Sequence, residues 1–152
     1  MPGEIAIVGA GMAGLACATE LSRAGRRVTL FDKGRGPGGR MATRRAEIGG
    51  ETVRFDHGAQ YFTARDPEFQ ELVAQWENEG VVARWPAAGE DAWVGTPAMN
   101  APIKAMAKPI GVHWANRVTE IITHEQGWHL SVDNETNEFD SVVLAVPAEQ
   151  AA

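Results

Sequence analysis

Ile5-Ala6-Ile7-Val8-Gly9-Ala10-Gly11-Met12-Ala13-Gly14 is the stretch whose reading decides the fold. Four apolar residues run straight into glycines spaced G-x-G-x-x-G. A helical pattern follows from Leu15 to about Ala24 and stops at Gly25. A second apolar run, Val28-Thr29-Leu30-Phe31, ends on Asp32. This order predicts a strand, a tight turn, a helix and a parallel second strand. In that setting each glycine plays a different part. The first turns the chain, the second admits a pyrophosphate to the backbone, and the third lets helix and strand pack closely. The helix N-terminus offers unpaired N–H groups and a partial positive charge to phosphate. An acid about 20 residues past the turn can accept two hydrogen bonds from a ribose diol. It also disfavours a ligand with a 2′-phosphate. The expected ligand is an adenine dinucleotide.

Gly34 to Gly39 reads as loop, since Gly36-Pro37-Gly38-Gly39 forbids regular structure. Arg40 follows, and its planar guanidinium can fork onto phosphate. Residues 23 to 54 hold nine of the fourteen basic side chains, opposed only by Asp32, Glu47 and Glu51. That crowding sets up a local positive field that draws in an anionic ligand.

Taken together, Gly9-Ala10-Gly11-Met12-Ala13-Gly14, Phe31-Asp32-Lys33, Gly38-Gly39-Arg40-Met41 and Phe55-Asp56-His57-Gly58-Ala59-Gln60-Tyr61-Phe62 resemble the flavin-containing amine oxidase superfamily, and within it the renalase-like branch. The resemblance runs from Ile5 to Pro147. It implies FAD rather than NAD as the tightly held cofactor. Gly9, Gly11 and Gly14, with Ala10, Met12 and Ala13 between them, would face the pyrophosphate. Asp32, flanked by Phe31 and Lys33, would hold the adenosine ribose. Arg40, between Gly39 and Met41, would lie by the phosphates. Gly58, Ala59, Gln60 and Tyr61 would pass the isoalloxazine ring, and Val118 would hold the adenine edge through its backbone. Pro147 would close the last strand at the ligand edge of the sheet. Gly58-Ala59 is also small enough for backbone to approach a flat ring. Asp56 and His57 do not make an acid–base dyad, because neighbours on an extended chain face opposite ways. No catalytic residue is assigned.

The rest of the chain fits an α/β fold: a Rossmann-like FAD-binding domain, parallel sheet plus β-meander, carrying part of an inserted α+β substrate domain. Asp66 and Pro67 predict a helix start. Phe69, Leu72, Val73 and Trp76 give its apolar stripe, and Gly80 its stop. Val81 to Val94 reads as short strands joined by a turn, with Trp85 or Trp93 a candidate wall of the site. Asn100 predicts the cap of a helix to about Lys108, ended by Pro109 and Gly111. Val112 to Asn116 reads as a returning parallel strand, and Val118 to His124 with Trp128 to Val132 as a hairpin. Val142 to Val146 reads as a strand buried on both faces. The expected division is 1–54 with 110–152 for FAD, and 55–109 for the substrate domain.

With 152 residues, 44% of them hydrophobic, the chain can form one sizeable core. A net charge of −6 argues against nucleic-acid partners. No apolar run approaches the ~20 residues of a membrane span. Cys17 stands alone, so no internal disulfide forms, which favours the cytoplasm. His57, His113, His124 and His129 lack metal-motif spacing, and no metal site is expected.

Renalase-like proteins pass a hydride from a dihydronicotinamide, and other superfamily members oxidise amines. The resemblance therefore implies a small-molecule substrate of one of these kinds, with oxygen as acceptor. It also implies that family members continue well past the position of Ala152. The expectation is an N-terminal portion whose FAD domain is incomplete at its C-terminal side. Two other readings stand beside it: a plain NAD-binding module, and a non-catalytic flavoprotein with an interaction role.

Overall fold

The computed structural model describes residues 3–151. It divides into two compact units, Met1–Gly39 with Met106–Ala152, and Arg40–Ala105. The hairpin that follows Arg40 lies in the second unit.

The first unit is built on a four-stranded parallel sheet. Strand β1 (Glu4–Val8) lies between β2 (Arg27–Asp32) and β12 (Ser141–Leu144), and β8 (Val112–Trp114) flanks β2. Helix α1 (Met12–Arg23) crosses from β1 to β2 and packs against both. It ends because Gly25 takes φ +72°. Alternation divides the strand residues between two faces. Ala6 and Phe31 face the meander formed by β9 (Val118–His124), β10 (Gly127–Val132) and β11 (Glu135–Phe139), where they join Leu130, Val132 and Phe139 in a buried cluster. Ile5, Ile7 and Leu30 point the other way, toward the side covered by the buried Leu15 and Ala18 of α1. Fully burying a side chain such as Leu15 contributes about 1.5–3 kcal/mol. This packing therefore outweighs the ~1 kcal/mol cost of a helical Gly14.

The strand expected to be buried on both faces is instead an edge strand. β12 pairs with β1 alone among the described residues. Val142 packs on the meander cluster, yet Leu144 remains 48% exposed. An unbroken apolar run cannot distinguish a covered strand from an edge one.

The second unit holds a two-stranded hairpin, β3 (Thr43–Ile48) and β4 (Glu51–Asp56), turned by Gly49 and Gly50. It also holds a small antiparallel sheet in which β7 (Ala92–Gly95) lies between β5 (Phe62–Thr63) and β6 (Val82–Arg84). Helix α2 (Pro67–Asn78) starts as expected: the Asp66 carboxylate accepts the Phe69 N–H at 3.0 Å, and Pro67 takes the first position. Val73 and Trp76 bury its apolar stripe. Helix α3 (Ala101–Ile110) carries Pro109 inside its last turn and stops before Gly111 at φ +74°, slightly beyond the expected end. A proline there lacks the N–H that would otherwise bond to the carbonyl four residues earlier. A short helix, α4 (Ala148–Ala151), follows Pro147.

Candidate functional site

The turn between β1 and α1 is shaped by its three glycines in three different ways. Gly9 takes φ +104°, and its N–H donates to the Phe31 carbonyl at 2.8 Å, tying the end of β1 to β2. A Cβ there would lie 2.6 Å from the Ala145 carbonyl oxygen. At Gly14 a Cβ would fall on the Gly9 carbonyl oxygen, so helix and strand could not close up. Gly11 differs from both. It is extended, at φ −78° and ψ −174°, and an added Cβ would meet no protein atom within 4 Å. The two outer glycines answer to the protein's own backbone, and the middle one opens onto free space.

Gly11 is also the N-cap residue of α1, and no side chain caps that end. The first turn carries no acidic residue. Early N–H groups of the helix and its positive dipole end therefore face the space at Gly11 unneutralised.

Asp32 closes the other side of this crevice. Its Oδ2 accepts the Ala10 N–H at 2.7 Å and its Oδ1 accepts the Gly34 N–H at 2.7 Å. The carboxylate thus points at the glycine turn and braces it. An ionised carboxylate offers about four lone-pair sites, so roughly two remain for hydroxyl donors. The Asp32 carbonyl accepts the Asn116 N–H at 3.0 Å, and the Gly34 carbonyl accepts the Ala115 N–H at 2.7 Å. These bonds bind the loop after β2 to the chain leading into Val118. Unpaired N–H groups at Gly11 and the spare lone pairs of Asp32 are donors and acceptors of the kind that a diphosphate with an attached ribose needs.

The other residues singled out from the sequence fall in several places. Ala10 is buried, Met12 is half-buried, and Ala13 is exposed on the first turn of α1. The Phe31 ring is buried in the meander core, edge-on to Phe139 at 5.9 Å, so only its backbone reaches the turn. Lys33 Nζ donates to Gln150 Oε1 at 2.6 Å, linking the loop after β2 to α4. Val118, half-buried, opens the meander and packs on its core. Pro147 is exposed after β12. Gly39, at φ +55°, is placed so that a Cβ would come within 3.4 Å of the Gly11 Cα.

Within the second unit, Arg40 is exposed and Met41 buried in a short 3-10 turn. The Arg40 carbonyl accepts the Ala59 N–H at 2.8 Å. A Cβ on Gly58 would collide with that carbonyl. Gly58 is therefore small to admit Arg40's backbone, a reason separate from any flat ring. Tyr61 and Trp85 meet edge to face at 6.2 Å and stay 45% and 38% exposed. Trp93 is buried instead, with the Arg84 guanidinium 4.4 Å from its ring centroid. Of the two tryptophans, Trp93 is a packing residue and Trp85 is the one open to solvent. His57 and Gln60 are exposed.

Among the described residues, no group of three or more His, Cys, Asp and Glu side chains could hold a metal ion. No helix there is long and apolar enough to cross a membrane.

Residues 7–76 match the family model of the NAD(P)-binding Rossmann-like domain, and residues 82–152 match that of flavin containing amine oxidoreductases. A stretch of 40 residues is 55% identical to hydroxyneurosporene desaturase of Cereibacter sphaeroides, covering 26% of this chain and 8% of that protein. A putrescine oxidase solved with putrescine bound superposes with a TM-score of 0.71 at 16% identity, over 99% of this chain and 60% of that one. A fatty acid isomerase from P. acnes that produces CLA gives 0.72 at 14% identity, over 97% and 59%. At these identities the structural likenesses show the fold. The chain spans about three fifths of the length of either solved structure.

Proposed function

We propose that the chain is a member of the flavin-containing amine oxidase superfamily, with family models matching residues 7–76 and 82–152 in support, and that it is an FAD-dependent oxidoreductase whose first unit clasps the adenosine diphosphate half of the cofactor. The cofactor is FAD. The observation that carries the reading is the open Gly11 at an uncapped helix end, faced by an Asp32 carboxylate that still has lone pairs to give. The first N–H groups of α1 at Gly11 would hold the diphosphate, Asp32 would hold the ribose diol, and the backbone of Val118 would hold the adenine edge. The resemblance in sequence supports Arg40 and Met41 beside the phosphates, and Gly58-Ala59-Gln60-Tyr61 beside the flavin ring. On the same ground, residues 1–54 and 110–152 serve the cofactor and 55–109 the substrate.

Bound FAD supplies a two-electron acceptor for a hydride from the substrate. The chain's own residues hold and orient it, and no side-chain nucleophile is required. The resemblance in sequence supports a dihydronicotinamide-type compound or an amine as hydride donor, with oxygen as the final acceptor.

Purified protein should be yellow, or become so on adding FAD, and should release FAD on denaturation. A colourless protein that ignores FAD yet binds NAD would overturn the proposal. Anaerobic mixing with dihydronicotinamide isomers and with primary amines separates the two substrate classes, because only the true donor bleaches the flavin band.

A further inference from the structure

The basic residues between 23 and 54 exceed what a dinucleotide needs, and two of them meet on the hairpin of the second unit. The β3–β4 register sets Thr43 opposite Asp56, Arg45 opposite Arg54, and Glu47 opposite Thr52. Alternate residues share a face, so these three rungs lie side by side. The outer two are closed. The Thr43 hydroxyl donates to Asp56 Oδ1 at 2.6 Å, and the Thr52 hydroxyl donates to Glu47 Oε1 at 2.6 Å. Asp56 Oδ1 also accepts the Met99 N–H at 3.1 Å.

The middle rung holds two like charges, with Cβ atoms about 4.5–5.5 Å apart. Both arginines are exposed. Among the described residues, neither guanidinium makes a hydrogen bond or an ion pair. Like charges directly opposite each other weaken a strand pair, and the neighbouring carboxylates are turned to threonines rather than to the guanidiniums. What this rung lacks is an anion with several oxygens. Each guanidinium presents five N–H donors in a planar fork, the geometry that holds phosphate oxygens in pairs.

We propose that the Arg45–Arg54 rung is a binding site for a phosphoryl oxyanion, carried by a soluble phosphate compound or by a phospholipid headgroup. The site lies wholly on the hairpin and does not depend on the FAD reading.

Inorganic phosphate is titrated into the 152-residue protein, with ionic strength held constant by chloride, while arginine Nε–H signals are followed by NMR. Both Arg45 and Arg54 signals should shift along one saturable curve. Because phosphate can also bind at the glycine turn, variants separate the two sites. R45Q and R54Q should each lower the affinity read at the remaining arginine at least tenfold. R54K, which keeps the charge and loses the fork, should fall between them and the native protein. R45Q without ligand should melt no lower than the native chain, since it removes a repulsion. Phosphatidylglycerol vesicles form a second arm. Co-sedimentation lost in R45Q identifies the headgroup as the source, and phosphate shifts without co-sedimentation identify a soluble compound. Shifts that follow ionic strength alone, or binding unchanged in both glutamine variants, would overturn the proposal.

Discussion

Replacing Gly11 with alanine separates cofactor binding from folding. The residue sits at φ −78°, which any side chain adopts, and an added methyl meets no protein atom within 4 Å. A glycine-to-alanine change at a compatible position stabilises by about 0.4–1 kcal/mol, through the unfolded chain. The flavin-free G11A protein should therefore unfold in urea at the native midpoint or slightly above it. The methyl, however, stands where the diphosphate approaches the helix N-terminus. Loss of two charge-assisted hydrogen bonds at ~1.5–3 kcal/mol each removes roughly 3–6 kcal/mol of binding. At 1.4 kcal/mol per decade, that is about two to four orders of magnitude in FAD affinity. Quenching of flavin fluorescence during titration measures it. Gly14→Ala provides the contrast, since its methyl falls on the Gly9 carbonyl oxygen. It should lower the unfolding free energy by about 1–3 kcal/mol through forced backbone shifts. Native-like FAD affinity in G11A would refute the placement of the diphosphate. A stability loss in G11A as large as that in G14A would refute the openness of the turn.

Three further outcomes follow from named contacts. Asp32→Ala strands the Ala10 and Gly34 N–H groups at a half-buried site, so the flavin-free protein should lose about 2–4 kcal/mol in urea unfolding. FAD affinity should fall at least tenfold besides. Gly58→Ala drives a methyl into the Arg40 carbonyl, and should cost about 1–3 kcal/mol by the same assay. Asp66→Ala removes the cap on Phe69 N–H and should cost about 1 kcal/mol, with FAD binding unchanged.

Much of the first unit is legible in the chain itself, for a local reason. β1, the glycine turn, α1 and β2 announce themselves through short-range signals: an apolar run, a left-handed glycine, a helix stop, an acid at a strand end. The β9–β10 hairpin and the cap of α2 are legible for the same reason, whereas β11 (Glu135–Phe139) is not, since its run of polar residues carries no strand signal. The β3–β4 hairpin is not read from its strands, because the alternation of Ala46 and Ile48, and of Val53 and Phe55, is short and lies among charged residues, and both strands are largely exposed. Its one signal is Gly49-Gly50, with φ +62° and +85°, a pair that suits a two-residue hairpin turn. Gly58 shows a different limit. Small size is visible in the sequence, but the group that needs the room, the Arg40 carbonyl, comes from eighteen positions earlier in the chain. The same limit hides the bracing role of Asp32, whose Ala10 partner lies 22 residues away.

That bracing role joins two properties which the glycines keep apart. Gly9 and Gly14 serve the backbone whether or not a ligand is present, so a Rossmann unit that had lost its cofactor would still need them. Gly11 serves only the ligand side and would be free to change. Asp32 belongs to both, since one carboxylate holds the turn through two N–H groups and turns its remaining lone pairs outward. Ligand binding should then tighten the element that forms its own site. A ligand at 100 times its dissociation constant stabilises the folded state by about 2.7 kcal/mol. In the native protein, that gain should appear as FAD-dependent slowing of hydrogen exchange at the Ala10 and Gly34 amides. In D32A those amides have no carboxylate to hold them, and FAD should protect the helix end alone. Equal protection of both amides in the two proteins would mean that the turn is rigid without its acid, and that Asp32 has no part in coupling fold to ligand.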